Sequence, residues 1–304
     1  MAIGYACLTI GVPNTGLKRC ILKNATEENI KRITLANLSA LEAIIDYNSE
    51  NNLKLFRISS DIIPFGSHPI NQVRWWEEYQ DILSQLGHKI RKAGIRVSMH
   101  PGQYTVLNSP DSKVVGNAVK DLEYHERFLT SLGMNANSKL VLHIGGVYGD
   151  KITAIKTFLA NYRLLSNDIK KRLVIENDDK NYNIEEILQI SEKIGAPAIF
   201  DNLHHSINPP KEDISDAEWI IRCGKSWTEH DGVQKIHYSQ QKADAKPGSH
   251  SETILLEEFI KYYSELPYKK IDIMLEVKDK NLSAIKCNNA VGIVSHKNEA
   301  SNSL

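Results

Sequence analysis

Eight short runs of β-branched and large apolar residues recur along this chain, and stretches long enough for amphipathic helices separate them. The runs are "IGYACLT" (3–9), "LKLFRIS" (53–59), "IRVSMH" (95–100), "KLVLHIG" (139–145), "RLVIEN" (172–177), "PAIFD" (197–201), "VQKIHYS" (233–239) and "IDIMLEV" (271–277). Between the first two, residues 25–49 place Ile30, Ile33, Leu38, Leu41, Ile44 and Ile45 at helical spacing, behind a capping Thr26 with Glu27 and Glu28 at its positive end. Eight such units in succession predict an α/β protein, a single-domain (β/α)8 TIM-type barrel. The 304 residues could hold two ordinary domains, but no Pro/Gly/Ser linker divides them. An open doubly wound sheet is the competing architecture, and it lacks its usual sign, because "LTIGVPNTG" after the first run has no GxGxxG spacing. The barrel is expected over residues 1–285. Residues 286–304 read as a poorly ordered tail after the start of a closing helix.

Composition excludes little by itself. Basic and acidic residues number 37 each, so no bulk charge announces a nucleic-acid partner, though bound cations and local fields count for more than the sum. The four cysteines, Cys7, Cys20, Cys223 and Cys287, form no CxxC pair, which argues against a zinc knuckle or a disulfide framework. No apolar run approaches the ~18 residues of a membrane span, and "MAIGYACLTIG" does not read as a leader. A soluble cytoplasmic protein with no membrane partner is expected.

The working face of such a barrel lies at the C-terminal ends of the strands. Those ends carry His100, His143, Glu176 and Asp201, with His204 three residues on, then Lys235 and His237 on one face of the seventh run and Glu276 in the eighth. His68 in "PFGSHPI" and His250 in "KPGSHSE" lie in the loops that leave the second and seventh. One histidine at a strand end is ordinarily structural. Six histidines and three carboxylates converging on one mouth would repel or go unpaired unless cations filled the space.

Imidazole and carboxylate without thiolate suit Zn, Mn or Fe. Nine ligands exceed what one ion uses, so two or three divalent ions are expected, and clustered divalent ions commonly hold the attacking and leaving oxygens of a phosphoryl transfer. Phosphodiester hydrolysis is therefore the leading chemistry. An ammonium at Lys235 would conflict with such a cluster unless it is neutral, turned to a phosphate, or modified to an anion. Arg57 and Lys246 are candidate phosphate contacts near the mouth, and "GGVYGDK" offers uncrowded backbone N–H groups.

Taken together, "GYACLTIG", "FRISSDIIPFGSHP", "SMHPGQY", "LVLHIGGVYGDK", "RLVIENDD", "IFDNLHH", "KIHYS" and "MLEVKDK" resemble the ultraviolet damage endonucleases, TIM-barrel repair enzymes related in architecture to endonuclease IV. The resemblance spans roughly residues 1–280. It implies three metal ions, with manganese favoured and zinc or another divalent ion as the alternative, held by His68, His100, His143, Glu176, Asp201, His204, His237, His250 and Glu276. The catalytic candidates are Glu176, Lys235, His237 and Glu276, with Lys235 carried as a modified residue whose favoured form is the carboxylated one. It also implies that Gln103 and Tyr104, with Tyr5, form a wedge that enters the duplex where a damaged dinucleotide is flipped out.

The implied activity is a nick 5′ to an ultraviolet photoproduct, either a cyclobutane dimer or a 6-4 photoproduct, and abasic sites are further candidate substrates. The nick leaves a 3′-hydroxyl and a 5′-phosphate. The partner is double-stranded DNA, and the enzyme is expected to act as a monomer at the nucleoid. The competing readings are a metal-dependent sugar isomerase or epimerase on the same barrel, and a lesion-binding protein without catalysis.

Overall fold

The computed structural model describes residues 1–301. Its strands are β1 (Ile3–Ala6), β2 (Leu55–Ile58), β3 (Arg96–Met99), β4 (Leu140–Leu142), β5 (Leu173–Glu176), β6 (Ala198–Ile199), β7 (Lys235–Tyr238) and β8 (Asp272–Leu275). All pairings are parallel, in the order β6-β5-β4-β3-β2-β1-β8-β7. A parallel bridge between Asp201 and His237 joins the two ends and closes the barrel. Each strand lies within its expected run and is shorter, because ladder bonds form only where staggered neighbours overlap.

Alternation sorts the side chains onto two faces. Ile3, Tyr5, Phe56, Ile58, Val97, Leu142, Ile175, Phe200, Ile236 and Leu275 belong to the large apolar layer that also takes in the helices. The opposite parity fills the barrel, where Ala6, Leu55 and Met274 form one small cluster and Val141, Val174 and Ile199 another. The helix Glu27–Glu50 shows how the outer layer is built. Thr26 caps it, accepting from Asn29 N at 3.2 Å, and all six of its expected apolar positions are buried.

The two ends of the barrel differ. At the floor, Arg96 reaches Asp272 at 2.9 Å and donates to the carbonyls of Val233, Asp231 and Asn137, while Lys139 donates to Asp231 Oδ1 and to the Lys171 carbonyl. Trp227 lies beneath the Arg96 guanidinium, 5.8 Å from it. Charge there is paired, so the floor is closed structure. At the other end His143 Nδ1 and Asp201 Oδ2 are buried with no hydrogen-bond partner among the described residues, and so is Lys235 Nζ inside the barrel, on a residue that starts β7 level with Asp272. Such groups are costly unless something else meets them.

The last helix, Asn281–Ser301, runs through the boundary expected at residue 285. Ala284, Cys287 and Val291 are buried, and Asn288 donates to the Ile3 carbonyl at 2.9 Å, so this part of the expected tail packs on β1. Residues 302–304 of that tail lie outside the described residues. No helix among the described residues is long and apolar enough to cross a membrane.

Candidate metal centre at the barrel mouth

Glu176 ends β5 facing inward and is 1% exposed. His100, His143 and Glu276 each follow their strand by one residue, and His237 points inward from β7. Asp201 caps the short helix Asn202–Ile207 by accepting from His204 N at 2.8 Å, which sets His204 on the first turn beside it. The result is three groups whose ligand atoms lie within 4.8 Å of one another: His100, His143 and Glu176; Glu176, Asp201 and His204; Glu176, His237 and Glu276. Glu176 belongs to all three.

Hydrogen bonding fixes which ring nitrogens are free. His100 Nδ1 donates to the Pro101 carbonyl and His204 Nδ1 to the Asn177 carbonyl, both at 2.9 Å. That leaves Nε2 as the nitrogen each ring can offer a metal, and that of His100 faces Glu176 Oε2 at 3.3 Å. His143 Nε2 is 3.5 Å from the same oxygen. Acceptors aimed at an acceptor are stable only around a proton or a cation. With nitrogen and oxygen donors and no sulfur, the set fits a borderline or hard divalent ion.

Burial and charge work against each other here. Burial alone would raise the Glu176 carboxyl, but the imidazoles of His237 and His143 hold it well below the usual range. Burial pushes His143 down to about 4, leaving a neutral ligand at neutral pH. Burial also opposes charge on His204, yet Asp201 and Glu176 raise it to about 9. For Asp201 burial dominates and the carboxyl is raised.

Other expected site residues are placed differently. Tyr5 is fully buried under the helix Glu27–Glu50, its hydroxyl 2.7 Å from Asn48 Oδ1 and 2.8 Å from Thr9 Oγ1. Its parity faces it away from the mouth, so a direct place in a DNA wedge is corrected to a packing role. Arg57 is corrected as well. It has the inward parity of Leu55, is 6% exposed, and sets Nη2 2.5 Å from Glu276 Oε1 and 2.8 Å from His237 Nε2. Arginine only donates, so His237 Nε2 accepts and its Nδ1–H faces Glu176. Arg57 is thus an internal counter-ion of the site and not a contact on the open face.

Lys235 lies inside the barrel with no exposure, and burial, reinforced by Arg96 and Arg57, holds its amine well below the ordinary lysine range. His68 and His250 belong to none of the three groups. His68 is exposed, and its Nδ1 accepts from Ile70 N at 3.1 Å. His250 pairs with Gln241 in an antiparallel bridge. Lys246 is exposed on that same loop.

Gln103 and Tyr104 stand out from the loop after β3, with Tyr104 68% exposed. A Cβ on Gly102 would fall 2.5 Å from the Tyr104 ring, so glycine is what lets the ring fold back over its own turn. Tyr104 separates two clefts, one of ≈ 490 Å³ that includes His68 and one of ≈ 580 Å³ that includes His143 and His204. Three residues on these clefts escaped the sequence reading: Lys18 and Arg19 in the first, and Tyr148, half exposed at φ +49°, in the second. Only "GGVYGDK" hinted at Tyr148, and nothing marked the other two apart from ordinary surface cations.

Comparison with known proteins at the level of sequence points to one family. The model of the family described as UV-endonuclease UvdE matches residues 2–298. A UV DNA damage endonuclease from Clostridium perfringens is 47% identical over 292 residues, covering 96% of this chain and 71% of that protein. The solved structure of SacUVDE superposes with a TM-score of 0.91 at 37% identity, covering 97% of this chain and 99% of the other. Endonuclease IV from Thermus thermophilus covers 97% of this chain and 99% of its own at a TM-score of 0.58, but its 12% identity speaks for the fold alone.

Proposed function

This chain belongs to the UV-endonuclease family of DNA repair endonucleases, and on that premise we propose that it nicks double-stranded DNA on the 5′ side of ultraviolet photoproducts by multi-metal hydrolysis, leaving a 3′-hydroxyl and a 5′-phosphate. The single observation that carries the chemistry is the sharing of Glu176 by three ligand groups, with imidazole lone pairs aimed at it. Membership sets aside the sugar isomerase reading.

Divalent ions held there, three of them and manganese by preference, would supply positive charge for the attacking and leaving oxygens and would lower the pKa of water. His100, His143, Asp201, His204, His237 and Glu276 hold them around Glu176, and His68 and His250 complete the set from the flanking loops. Burial favours the uncharged amine of Lys235, the form that adds to carbon dioxide, releasing one proton and leaving an anionic carbamate. That supports the carboxylated form as a further ligand. Gln103 and Tyr104 enter the duplex where the damaged dinucleotide leaves the stack, and selectivity arises because a photodimer is already poorly stacked. Lys18 and Arg19 on the first cleft, and the exposed Lys246 on the loop that carries His250, would meet phosphates. The same reading has the enzyme acting as a monomer in the cytoplasm.

The deciding experiment incubates the protein with an end-labelled duplex carrying one defined cyclobutane dimer, with manganese or with EDTA, beside an undamaged duplex. A metal-dependent cut at the 5′ side of the dimer is expected. Binding without cutting would leave a lesion-recognition protein, and an intact, unbound dimer duplex would overturn the proposed substrate.

A further inference from the structure

The helix Ser112–Ser131 contributes nothing to the three ligand groups, yet it carries Asp121, Tyr124 and His125 beneath two loops that frame the mouth. Asp121 is 3% exposed and divides its carboxylate between those loops. Its Oδ1 accepts from Ser67 Oγ at 2.8 Å, and its Oδ2 accepts from Thr105 Oγ1 at 2.6 Å. Ser67 adjoins His68, and Thr105 adjoins Tyr104.

The surroundings stiffen this link. The Tyr124 hydroxyl donates to the Ser60 carbonyl at 2.9 Å, and a Cβ on Gly66 would meet the Tyr124 ring at 2.3 Å, so the loop after β2 lies flat on that ring. His125 Nδ1 donates to the Asp121 carbonyl at 2.6 Å, and its Nε2 is 2.8 Å from Ser60 Oγ, which reaches the His100 carbonyl at 2.8 Å. The same helix therefore contacts the His68 loop and the Tyr104 loop, and reaches the backbone of His100 through Ser60.

We propose that Asp121 is a positioning residue that couples the His68 loop to the Tyr104 loop, so that the surface reading DNA is set in register with the surface holding metal. The inference rests on the function proposed above for the roles of His68 and Tyr104. The coupling itself is a property of the protein alone. Each hydroxyl bond goes to one oxygen of a single buried carboxylate, so movement of one loop is felt at the other.

The test is amide hydrogen exchange on the full chain, with and without manganese, for the wild type, Asp121→Asn, Ser67→Ala and Thr105→Val. In the wild type, manganese should slow exchange over residues 102–108, the Tyr104 loop beyond His100. In Asp121→Asn and Ser67→Ala that slowing should vanish, and in Thr105→Val the basal exchange there should rise about tenfold, as loss of a bond to a charged group implies. On the dimer duplex, Thr105→Val should raise KM about tenfold with kcat and manganese affinity unchanged. A merely structural residue would not separate these readouts.

Slowing that persists in all three variants would overturn the proposal. If Asp121→Asn fails to fold, Ser67→Ala and Thr105→Val carry the same test, since each leaves the carboxylate one donor. Coupling without any nicking would sink the endonuclease reading and keep the link, and metal-dependent nicking without coupling would do the reverse.

Discussion

Replacing Glu176 by Gln keeps the shape of the residue and removes the one charge common to all three groups. Its Oε2 stands 3.3 Å from the His100 ring and 3.5 Å from that of His143, so an ion among these atoms would lie within about 4 Å of the carboxylate. At an effective dielectric near 20, a divalent ion and a carboxylate at that distance interact by about 8 kcal/mol, and the relief of no longer burying a carboxylate, about 5 kcal/mol, returns most of it. A net loss of about 3 kcal/mol corresponds to manganese binding about 150-fold more weakly.

The assay is thermal unfolding with manganese at roughly 100 times the wild-type Kd, where binding stabilises by about 2.7 kcal/mol. At the same concentration the variant would gain only about 0.3 kcal/mol. For a chain of this length these translate to a rise in Tm of about 4 °C against about half a degree. Free manganese measured by electron paramagnetic resonance checks the affinity directly. A wild-type response, with a full Tm rise and undiminished nicking by Glu176→Gln, would refute the hub.

His204 sets a pH dependence. Its pKa is raised from 6.5 to about 9 in the fold, so the metal-free protein holds this stabilisation fully below about pH 6.5 and loses it as pH climbs through about 9. Melting of metal-free protein between those limits should show it, and His204→Asn should flatten the profile, while manganese affinity in the wild type rises over the same window as the competing proton leaves. Arg57→Met removes the cation that occupies Glu276 and His237, so manganese should bind about tenfold more tightly while the metal-free protein melts lower, both read by titration and melting. Arg96→Met strips the floor of its bond to buried Asp272, costing about 3–5 kcal/mol, or about 5–8 °C in Tm, with manganese stoichiometry unchanged. Tyr104→Ala should weaken binding of the dimer duplex by about 1–3 kcal/mol in a filter-binding assay and leave manganese affinity as it was.

Much of the site was legible because a parallel barrel gathers the C-terminal ends of all its strands at one face. Glu176 ends β5, and His100, His143, Asp201 and Glu276 follow their strands by one or two residues. Once eight runs were recognised, His100, His143, Glu176, Asp201 and Glu276 followed from position alone, and His204 from its distance to Asp201. The parity of a side chain within an apolar run was not legible. Tyr5 and Arg57 both sit near strand ends, yet Tyr5 turns out to the helices and Arg57 turns inward to Glu276 and His237. A shift of one residue turns the whole strand over, and neighbouring small or apolar residues on both faces left the choice open.

The sequence by itself determined the strand count, the barrel, the ligand types and the family, since these depend on periodicity and on ordered motifs along the chain. Tertiary structure alone decided that one carboxylate serves three groups, that Arg57 stands among the ligands, and that Asp121 binds two loops from a helix outside them. Each of those depends on where side chains from strands far apart in the chain converge, and on what burial leaves unpaired there. Distance along the chain carries no record of either.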